Sequence, residues 1–429
     1  MYRMSVNVLL VGGGGREHAL AWKLKQSPRI GKLYVAGGNG GTWNIAENLE
    51  IAGTDFDKLA RFASENDVGL TVPGPDDLFA AGIVDVFTAR GLRIWGPTKE
   101  AAQIESSKAF AKQLMQEGAV PTAAFGVFNN PTAALAHVRA HGVPIVVKAS
   151  GLALGKGVYV CRTIEEAEQA INEIMVQRVH KDAGNEVVIE EFIDGQEISI
   201  HALTDGTAHI LFPSSQDHKT VQDGDKGKNT GGMGTIAPVP WVTAEMMSGI
   251  EGKVVTPTFE ALKKRGIQFK GLLFPGLKMT LDGPKVLEFN ARFGDPECQV
   301  YMRLLKSDLL DLLEASVDGQ IDAARTSVEW QRGFAVNIVL ASGGYPDAYQ
   351  KGFPITGIKE AEKIEDVVVF HAGTKIVDGQ FVTNGGRVLG VSAVGGSLKE
   401  ALKRAYEAVD KIHFEGMHFR RDIGAKALS

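Results

Sequence analysis

The sequence contains little cysteine and no long apolar segment, and each absence excludes a class of protein. Only Cys161 and Cys298 occur among 429 residues, too few for a disulfide framework and consistent with a reducing compartment. No run approaches the roughly 18 apolar residues of a membrane-spanning helix. The first apolar run, residues 6–11, ends in glycine and does not resemble a signal peptide. We therefore expect a cytoplasmic protein without a membrane partner.

The sequence also lacks an excess of positive charge, whereas glycine is unusually abundant. It has 46 lysines and arginines against 51 aspartates and glutamates, a net charge of -5, so a nucleic-acid partner is not expected. The 51 glycines make up about 12% of the chain, against a usual share of about 7%. Because glycine lets the main chain approach a ligand closely, the glycine clusters suggest several loops that bind phosphate or substrate.

The order of apolar and polar segments predicts three regions. Over residues 6–100, apolar strands alternate with helices, the last strand lying at 92–95, and this alternation predicts a doubly wound parallel sheet. The middle of the chain mixes helices with paired strands, including a hairpin whose turn is Asp282-Gly283. A smaller mixed α/β region follows. We expect domains of 1–105, 106–327 and 328–429.

Two segments of the middle region are interpreted from their pattern alone. Residues 217–234 are charged, rich in glycine and without periodicity, which is typical of a mobile loop. The functional interpretation is a loop that closes over bound substrate and excludes water, and the alternative is an exposed hairpin. Residues 296–314 are predicted to form one continuous helix.

Four consecutive glycines precede Arg16, between the first strand and the first helix. Main-chain amides at the start of a helix bind phosphate well. The dinucleotide fingerprint needs a third spaced glycine, but Glu17 or His18 stands there, and no acidic residue ends the second strand. The loop therefore indicates phosphate binding without NAD, with a tight turn that binds nothing as the alternative. For His18 we favour a structural role over a catalytic one.

A second glycine loop follows the apolar strand that ends at Lys148. A Walker A loop needs four residues between its glycines, then Lys and Ser or Thr. Gly151 and Gly155 enclose three residues and Gly157 follows Lys156, so the hydroxyl that would bind magnesium is missing. The pattern favours a flap over phosphates flanked by lysines, against the alternative of solvated surface lysines.

A third motif is the acidic end of an apolar strand at Glu190 and Glu191. Such a strand can offer main-chain groups to the edge of an adenine, while a later carboxylate accepts ribose hydroxyls. This motif alone does not exclude an exposed acidic strand end without a ligand.

The strongest motif surrounds Glu288 and Asn290. Residues two apart in a strand share a face, so these two side chains point together while Leu287 and Phe289 are predicted to point into the core. Two oxygen donors without sulfur or imidazole suit magnesium rather than zinc. Arg292 on the same face would stabilise negative charge on a transferring phosphate. The alternative is the polar face of an edge strand.

Together and in this order, these motifs resemble the ATP-grasp superfamily and, within it, the phosphoribosylamine–glycine ligases over essentially the whole chain. The segments that carry the narrower resemblance are 14–20 (GGREHAL), 216–219 (QDHK), 229–234 (NTGGMG), 288–297 (EFNARFGDPE), 371–375 (HAGTK) and 383–387 (TNGGR). The resemblance implies an N-terminal substrate-binding domain, a two-lobed ATP-grasp domain with a flexible small lobe at about 122–188, and a small C-terminal domain. It also implies a reaction in which ATP phosphorylates glycine and the amine of 5-phosphoribosylamine displaces phosphate, the second step of purine synthesis.

By position, the resemblance implies roles for individual residues. The ATP phosphates would be held by Lys108, Lys148, Gly151, Gly155, Lys156 and Gly157, adenine by Glu190, Glu191, Phe192 and Ile193, and the ribose by Glu197. Magnesium or manganese would bind Glu288 and Asn290; Arg292, Asp217 and Asp295 would be catalytic; and the substrates would contact Gly14, Gly15, Arg16, Gly74, Lys219 and Gly294.

One segment departs from the family, which usually has Gly-Pro-Glu-Ala-Pro-Leu where this chain has Gly74-Pro75-Asp76-Asp77-Leu78. The ribose contact at that segment is therefore left open. The alternatives to this function are another ATP-grasp carboxylate–amine ligase, an NAD-dependent dehydrogenase and a binding protein without catalysis. The expected partners are glycine and phosphoribosylamine, with a monomer or homodimer and a transient contact with the upstream amidotransferase both left open.

Overall fold

A computed structural model describes residues 5–153 and 157–428. The first region contains a four-stranded parallel sheet, as the alternation of strands and helices predicted. Its central strand is an apolar run that is buried on both faces because helices cover the sheet on each side. In spatial order the strands are Glu47–Leu49, Ile30–Gly37, Val6–Gly12 and Val68–Pro73, and the helices are Gly15–Leu24, Phe56–Glu65, Asp76–Ala81 and Ile83–Thr88.

The predicted strand at 92–95 is wrong. Ile94 makes a single parallel bridge to Thr71, and the segment is confined between Gly91 and Gly96, both with positive φ. The short strand Glu47–Leu49 was not predicted, because three polar or half-buried residues carry no alternation to detect.

The central region is built on two sheets. The smaller is antiparallel and runs, in spatial order, Phe125–Phe128, Val187–Glu191, Ile145–Ala149 and Val158–Cys161, flanked by helices Pro131–His141 and Ile164–Ile171. The larger contains the strands Gln196–Ser199, Ala202–Thr204, His209–Leu211, Gly271–Thr280 and Gly283–Asn290. Helices Gln103–Ser106, Lys108–Glu117, Ala244–Ile250 and Thr256–Lys264 complete the region.

A β-bulge at Leu287 corrects one predicted orientation. Glu288 pairs with Gly276 while Val286 pairs with Leu277, so Leu287 has no partner across the hairpin. The extra residue shifts the alternation of side chains. Val286 is therefore buried where Leu287 was expected, and Leu287 faces a cavity instead.

The C-terminal region is organised around a five-stranded antiparallel sheet. In spatial order its strands are Gln216–Asp217, Gly234–Ala237, Phe334–Ala341, Arg387–Gly395 and Val367–His371. A separate hairpin, Thr374–Val377 with Gln380–Thr383, and helices Ile358–Ala361, Leu398–Val409 and Ala425–Leu428 accompany it. Its first two strands come from the middle of the chain, so the segment between them projects from the C-terminal sheet.

That segment forms an exposed hairpin, which was the alternative to a closing loop. Strands Thr220–Gln222 and Lys226–Asn229 pair as an antiparallel hairpin, with positive φ at Gly224 and Asp225 in the turn. Its residues are mostly exposed and polar, so no apolar period marks the strands. We call residues 220–229 the hairpin arm.

The predicted helix at 296–314 is also wrong, because two helices, Glu297–Leu304 and Leu309–Asp318, occupy it. The second begins where Asp308 Oδ1 accepts a hydrogen bond from the Leu310 amide at 2.9 Å. A short helix, Ile321–Arg325, follows. Among the described residues no helix combines the length and apolar character needed to cross a bilayer.

Candidate active site

A cavity of about 1030 Å³ opens where the three regions meet. It brings together most of the predicted site residues: Arg16, Lys108, Lys148, Gly157, Glu190, Glu191, Phe192, Ile193, Glu197, Asp217, Lys219, Glu288, Asn290, Arg292 and Asp295. Five predicted glycines do not line it: Gly14, Gly15, Gly74, Gly151 and Gly294. Gly155 and Lys156 lie outside the described residues.

One end of the cavity contains Lys148, the penultimate residue of the strand Ile145–Ala149, which leads into the glycine loop. Lys148 Nζ donates to Glu190 Oε2 at 2.9 Å and to the Leu287 carbonyl at 3.0 Å. Lys112 Nζ lies 3.2 Å from the same carboxylate oxygen and donates to Thr122 Oγ1 at 2.6 Å. Burial lowers the pKa of Lys112 to about 8, partly offset by Glu190. Sequence reasoning missed Lys112, although it lies one helical turn after Lys108.

The same end has an apolar slot with one free acceptor. Met115, Val146, Leu287 and Ile193 line it. Glu190 Oε1 is buried there and has no hydrogen-bond partner within the described part of the chain. A buried acceptor without a partner is costly, so it marks a place where a ligand donor, such as an exocyclic amine, would bind.

Glu191 and Glu197 point to different surroundings. Glu191 lines the cavity, and its Oε1 accepts from the Ala124 amide at 3.1 Å and from Lys285 at 3.3 Å. Glu197 Oε1 accepts from Lys278 at 3.0 Å. Burial would raise the pKa of Glu197, but the ammonium groups of Lys219 and Lys278 outweigh that effect and lower it.

The predicted metal pair lies in the middle of the cavity. Burial would raise the pKa of Glu288, but Lys219, Lys108 and other cations outweigh it and lower the pKa to about 2, so the side chain is a carboxylate. Asn290 Nδ2 donates to the Phe274 carbonyl at 3.3 Å, which leaves Oδ1 towards the cavity.

These two residues fit magnesium by their donor chemistry. No group of three or more His, Cys, Asp or Glu side chains suited to a metal occurs among the residues described. An ion held here would therefore need further oxygen ligands from a nucleotide and water, which is how magnesium is usually bound in nucleotide enzymes.

Arg292 is held beside this pair. Its Nη2 lies 2.9 Å from Glu105 Oε1 and donates to Asn290 Oδ1 at 3.0 Å. Its Nη1 donates to the Phe293 carbonyl at 3.3 Å. Glu105 was not among the predicted site residues, since no apolar strand or glycine cluster adjoins it.

The other end of the cavity is a junction of all three regions at Asp295. Asp295 Oδ2 pairs with Arg387 Nη2 at 3.2 Å, and Oδ1 accepts from Gln299 at 2.9 Å. Burial would raise the pKa of Asp295, but Arg387 and Arg16 outweigh it and lower it. Arg387 Nη1 also donates to the Gly231 carbonyl at 2.7 Å. Arg387 was quoted in the resemblance as part of 383–387, yet was not assigned to the site.

Asp217, which is half-buried, and Glu297, which is buried, form an acidic pair next to this junction. Burial and the neighbouring charge of Glu297 raise the pKa of Asp217 well above its usual range, and burial also raises that of Glu297. Two carboxylates in one site disfavour double ionisation, which is why both pKa values are raised. An entering cationic amine would favour the ionised pair.

Gly294 lies directly beneath Glu297. A Cβ added to Gly294 would come within 2.3 Å of Glu297 Oε2. Its amide donates to His201 Nε2 at 3.2 Å. A side chain at this position would therefore displace a carboxylate of the cavity.

The N-terminal glycine loop is shaped by Glu17. The Gly14 amide donates to Glu17 Oε2 and Arg16 Nε donates to Glu17 Oε1, both at 2.6 Å. A Cβ added to Gly74 would lie 1.8 Å from the same Oε1, and one added to Gly15 would lie 2.7 Å from Gln299 Nε2. The Gly14 amide is thus occupied by protein, and these glycines are required by internal packing whether or not a ligand binds.

His18 and Gly151 have structural contacts. His18 Nδ1 accepts from the His371 amide at 2.8 Å, and its ring is buried. This agrees with the structural role favoured for His18. The Gly151 amide donates to the Ala183 carbonyl at 3.2 Å, and a Cβ there would approach the Ala183 main chain to 2.7 Å.

Comparison with known proteins places these features in one family. Residues 6–105, 106–298 and 335–426 match the N domain, the ATP-grasp (A) domain and the C domain of phosphoribosylglycinamide synthetase. The chain is 48% identical over 427 residues to the phosphoribosylamine–glycine ligase of Chlorobaculum tepidum, covering 99% of this chain and 100% of that protein.

Solved structures agree with that assignment. The crystal structure of phosphoribosylamine–glycine ligase from Thermotoga maritima superposes with a TM-score of 0.81 at 33% identity, covering 97% of this chain and 100% of that one. A biotin carboxylase from Campylobacter jejuni superposes with a TM-score of 0.75 at 14% identity, covering 96% and 92%. The second likeness shows the fold alone, and the predicted architecture, an N-terminal parallel sheet followed by an ATP-grasp fold and a small C-terminal domain, is confirmed.

Proposed function

Because the chain belongs to the phosphoribosylglycinamide synthetase family, we propose that it joins glycine to 5-phosphoribosylamine with consumption of ATP. The products are N1-(5-phosphoribosyl)glycinamide, ADP and phosphate, in the second step of purine synthesis. The observation that carries the proposal is one cavity lined by an apolar slot, an oxygen-donor pair, Arg292 and a junction of acids and arginines. These groups suit a nucleotide base, its phosphates, a carboxylate and an amine.

The reaction has two steps and needs no side-chain nucleophile. A carboxylate oxygen of glycine attacks the γ-phosphorus of ATP, and ADP leaves, giving glycyl phosphate. The amine of phosphoribosylamine then attacks the carbonyl carbon, phosphate leaves with the bridging oxygen, and the amine loses a proton. The protein contributes positioning and charge stabilisation.

ATP is proposed to enter with its base in the slot and its phosphates over the glycine loop. Glu190 Oε1 accepts a hydrogen bond from the adenine amine and so gains the partner that it lacks among the described residues. Lys148 and Lys108 neutralise phosphate charge, and Glu197 accepts hydrogen bonds from the ribose hydroxyls. The remaining predicted nucleotide contacts are proposed for Gly151, Gly155, Lys156, Gly157, Glu191, Phe192 and Ile193.

An ATP-grasp ligase uses ATP with a divalent metal, and Mg²⁺ or Mn²⁺ is proposed here. Glu288 and Asn290 Oδ1 would hold it, because they are the oxygen donors that face the phosphate region. When bound, the ion neutralises charge on the phosphate oxygens.

The transferring phosphoryl group is proposed to lie against Arg292, with Lys219 between it and the substrates. Asp217 accepts hydrogen bonds from the glycine ammonium, whose positive charge favours the ionised acid pair. Asp295, held ionised by Arg387 and Arg16, orients the attacking amine. Gly294 leaves room for the carboxylate of Glu297 beneath these groups.

The sugar phosphate is proposed to bind towards the N-terminal loop at Arg16, which lines the cavity, with the predicted residues Gly14, Gly15 and Gly74 shaping the loop around it. The chain is proposed to fold as domains of 1–105, 106–327 and 328–429, the second with a flexible small lobe at about 122–188. A cytoplasmic monomer or homodimer, with a transient contact to the upstream amidotransferase, completes it.

The test is substrate selectivity. Purified protein is incubated with ATP, Mg²⁺, phosphoribosylamine prepared from ribose 5-phosphate and ammonia, and one amino acid at a time. ADP is followed by a coupled assay and the ligated product by mass spectrometry. We expect ADP and product with glycine only. Strong release of ADP with another acid and none with glycine would assign the chain to a different carboxylate–amine ligase.

A further inference from the structure

Glu105 is a buried carboxylate of the cavity that the ligation scheme leaves without a role. It lies on the short helix Gln103–Ser106, just before the helix that carries Lys108. Its side chain is 8% exposed. One oxygen, Oε1, pairs with Arg292 Nη2 at 2.9 Å, and the other, Oε2, accepts from the Ala291 amide at 2.7 Å. One carboxylate thus holds both the side chain of Arg292 and the main chain before it.

Arg292 has other carboxylates within electrostatic reach. Its charge contributes to lowering the pKa of Glu288 and of Asp295, and it also acts on Glu297. Among the described residues, Glu105 is nevertheless the acid that pairs with it within 4 Å. The pairing holds Arg292 Nη2 between Glu105 Oε1 and Asn290 Oδ1, on the wall of the cavity.

Stability does not explain a carboxylate at this position. Burial raises the pKa of Glu105 to about 6 even though the adjacent Arg292 opposes that rise. Buried ion pairs are often no better for stability than apolar residues of the same size. Arg292 Nε is also buried without a partner in the described structure, so the pair is incomplete until a further acceptor arrives.

We propose that Glu105 is a positioning residue that orients Arg292 towards the transferring phosphoryl group. This inference rests on the proposed ligation. It assigns Glu105 no direct contact with substrate, so its effect on the reaction passes through Arg292 alone.

Glu105→Gln tests the proposal, because both carboxylate oxygens of Glu105 accept hydrogen bonds, one from Arg292 and one from the Ala291 amide. The amide NH₂ of glutamine would face either the Ala291 N–H or the Arg292 guanidinium, and two donors would meet. The matched control is Glu117→Gln, which removes one oxygen from an exposed pair with Arg265 on the next helix, outside the cavity. Thermal unfolding of both variants checks that they fold.

The decisive experiment is a double-mutant cycle with Arg292→Ala. We expect Glu105→Gln to lower the turnover number about 10- to 100-fold, the usual range for groups that orient a functional ligand. We expect it to leave the ATP dissociation constant within about threefold and to have no further effect when Arg292 is already alanine. Glu117→Gln should behave as wild type. An unchanged turnover number, or an equal loss in the Arg292→Ala background, would overturn the proposal.

A crystal structure of the Glu105→Gln variant separates this inference from the ligation itself, since it needs no activity. We expect the Arg292 guanidinium to turn towards Glu288 or Asp295. A guanidinium that stays in place would refute the positioning role even in an active ligase. A displaced guanidinium would support it even if wild-type protein proved inactive with glycine, a result that would count against the proposed function only.

Discussion

Removal of the Arg420 guanidinium should loosen the hairpin arm and weaken substrate binding from a distance. The Arg420 side chain is fully buried between the C-terminal segment and the arm. It makes two hydrogen bonds to Asp422, two to Thr220, and one to Asp225 at 3.1 Å. All five of its N–H donors are therefore used, and the last two partners belong to the arm.

The expected loss in the free energy of unfolding follows from the acidic side chains that lose Arg420 as a partner in Arg420→Met. Breaking a buried ion pair by removing one partner costs about 3–5 kcal/mol, because the other charge is left unpaired. The side chains of Asp225 and Asp422 are 37% and 25% exposed, and Asp225 also pairs with Lys426, so water and Lys426 would recover part of that cost. We expect a loss of about 3 kcal/mol in the free energy of unfolding, at the lower end of the range.

The functional loss should appear in binding rather than in folding alone. Thr220, Asp225 and Gly227 of the arm line the cavity, and the arm begins directly after Lys219. Under conditions where the variant is folded, the KM values for glycine and phosphoribosylamine should rise at least about tenfold, which corresponds to about 1.4 kcal/mol of lost binding. Denaturant unfolding and steady-state kinetics measure the two effects.

Arg404→Met is the matched control. Arg404 pairs with Glu365, Asp366 and Glu400 of the C-terminal region, and it does not line the cavity. This variant should lose stability while both KM values stay at the wild-type level. Unchanged KM values in folded Arg420→Met protein would refute the argument that the C-terminal segment positions the arm.

Three further outcomes are expected. Arg292→Ala should keep its nucleotide affinity in a binding titration but lose about 10²–10³ in the rate of ADP release, as for loss of one preorganised charge-stabilising group. Gly74→Ala should lower the thermal unfolding midpoint, since its Cβ would lie 1.8 Å from Glu17; an unchanged midpoint would contradict this. Burial would raise the pKa of Asp422, but Arg420 and backbone donors lower it. The stability that ionised Asp422 contributes to the fold is therefore complete above its usual pKa of about 3.9 and is lost as the pH falls further. The free energy of unfolding should consequently depend less steeply on pH between pH 2 and 5 in Arg420→Met than in the wild type.

Elements with strong local signals were predictable from the sequence. The helix Phe56–Glu65 lies in the region where strands and helices were expected to alternate, and Asp55 caps its first turn. The hairpin of Gly271–Thr280 with Gly283–Asn290 was expected, but its turn is Leu281-Asp282, one residue before the predicted Asp282-Gly283, and Gly283 pairs with Thr280. In both cases the pattern that specifies the element lies within the element itself.

Features that depend on distant partners were not predictable. The strand Gly234–Ala237 joins the C-terminal sheet by pairing with Phe334–Ala341, about a hundred residues away. The hairpin arm has no apolar period, and it is held by Arg420 from the far end of the chain. The bulge at Leu287 is a matter of register, which no alternation within the strand reveals.

The residues of the candidate site also fall into those that a local sequence pattern reveals and those that depend on a distant partner. Glu288, Asn290 and Lys148 were identified because each ends or follows an apolar strand, and the structure does bring them to one cavity. Glu105 and Lys112 were missed because the role of each depends on a partner on another element: Arg292 for Glu105, and the Glu190 carboxylate for Lys112. A single sequence shows the chemistry of such residues but not their neighbours.

The most direct test of the account follows one oxygen atom. Glycine labelled with ¹⁸O in both carboxylate positions is supplied with ATP, Mg²⁺ and phosphoribosylamine, and the released phosphate is analysed by mass spectrometry. A glycyl phosphate intermediate transfers one labelled oxygen from glycine to each phosphate and leaves the other in the amide product. Phosphate without label, formed at the same rate as the ligated product, would contradict the account.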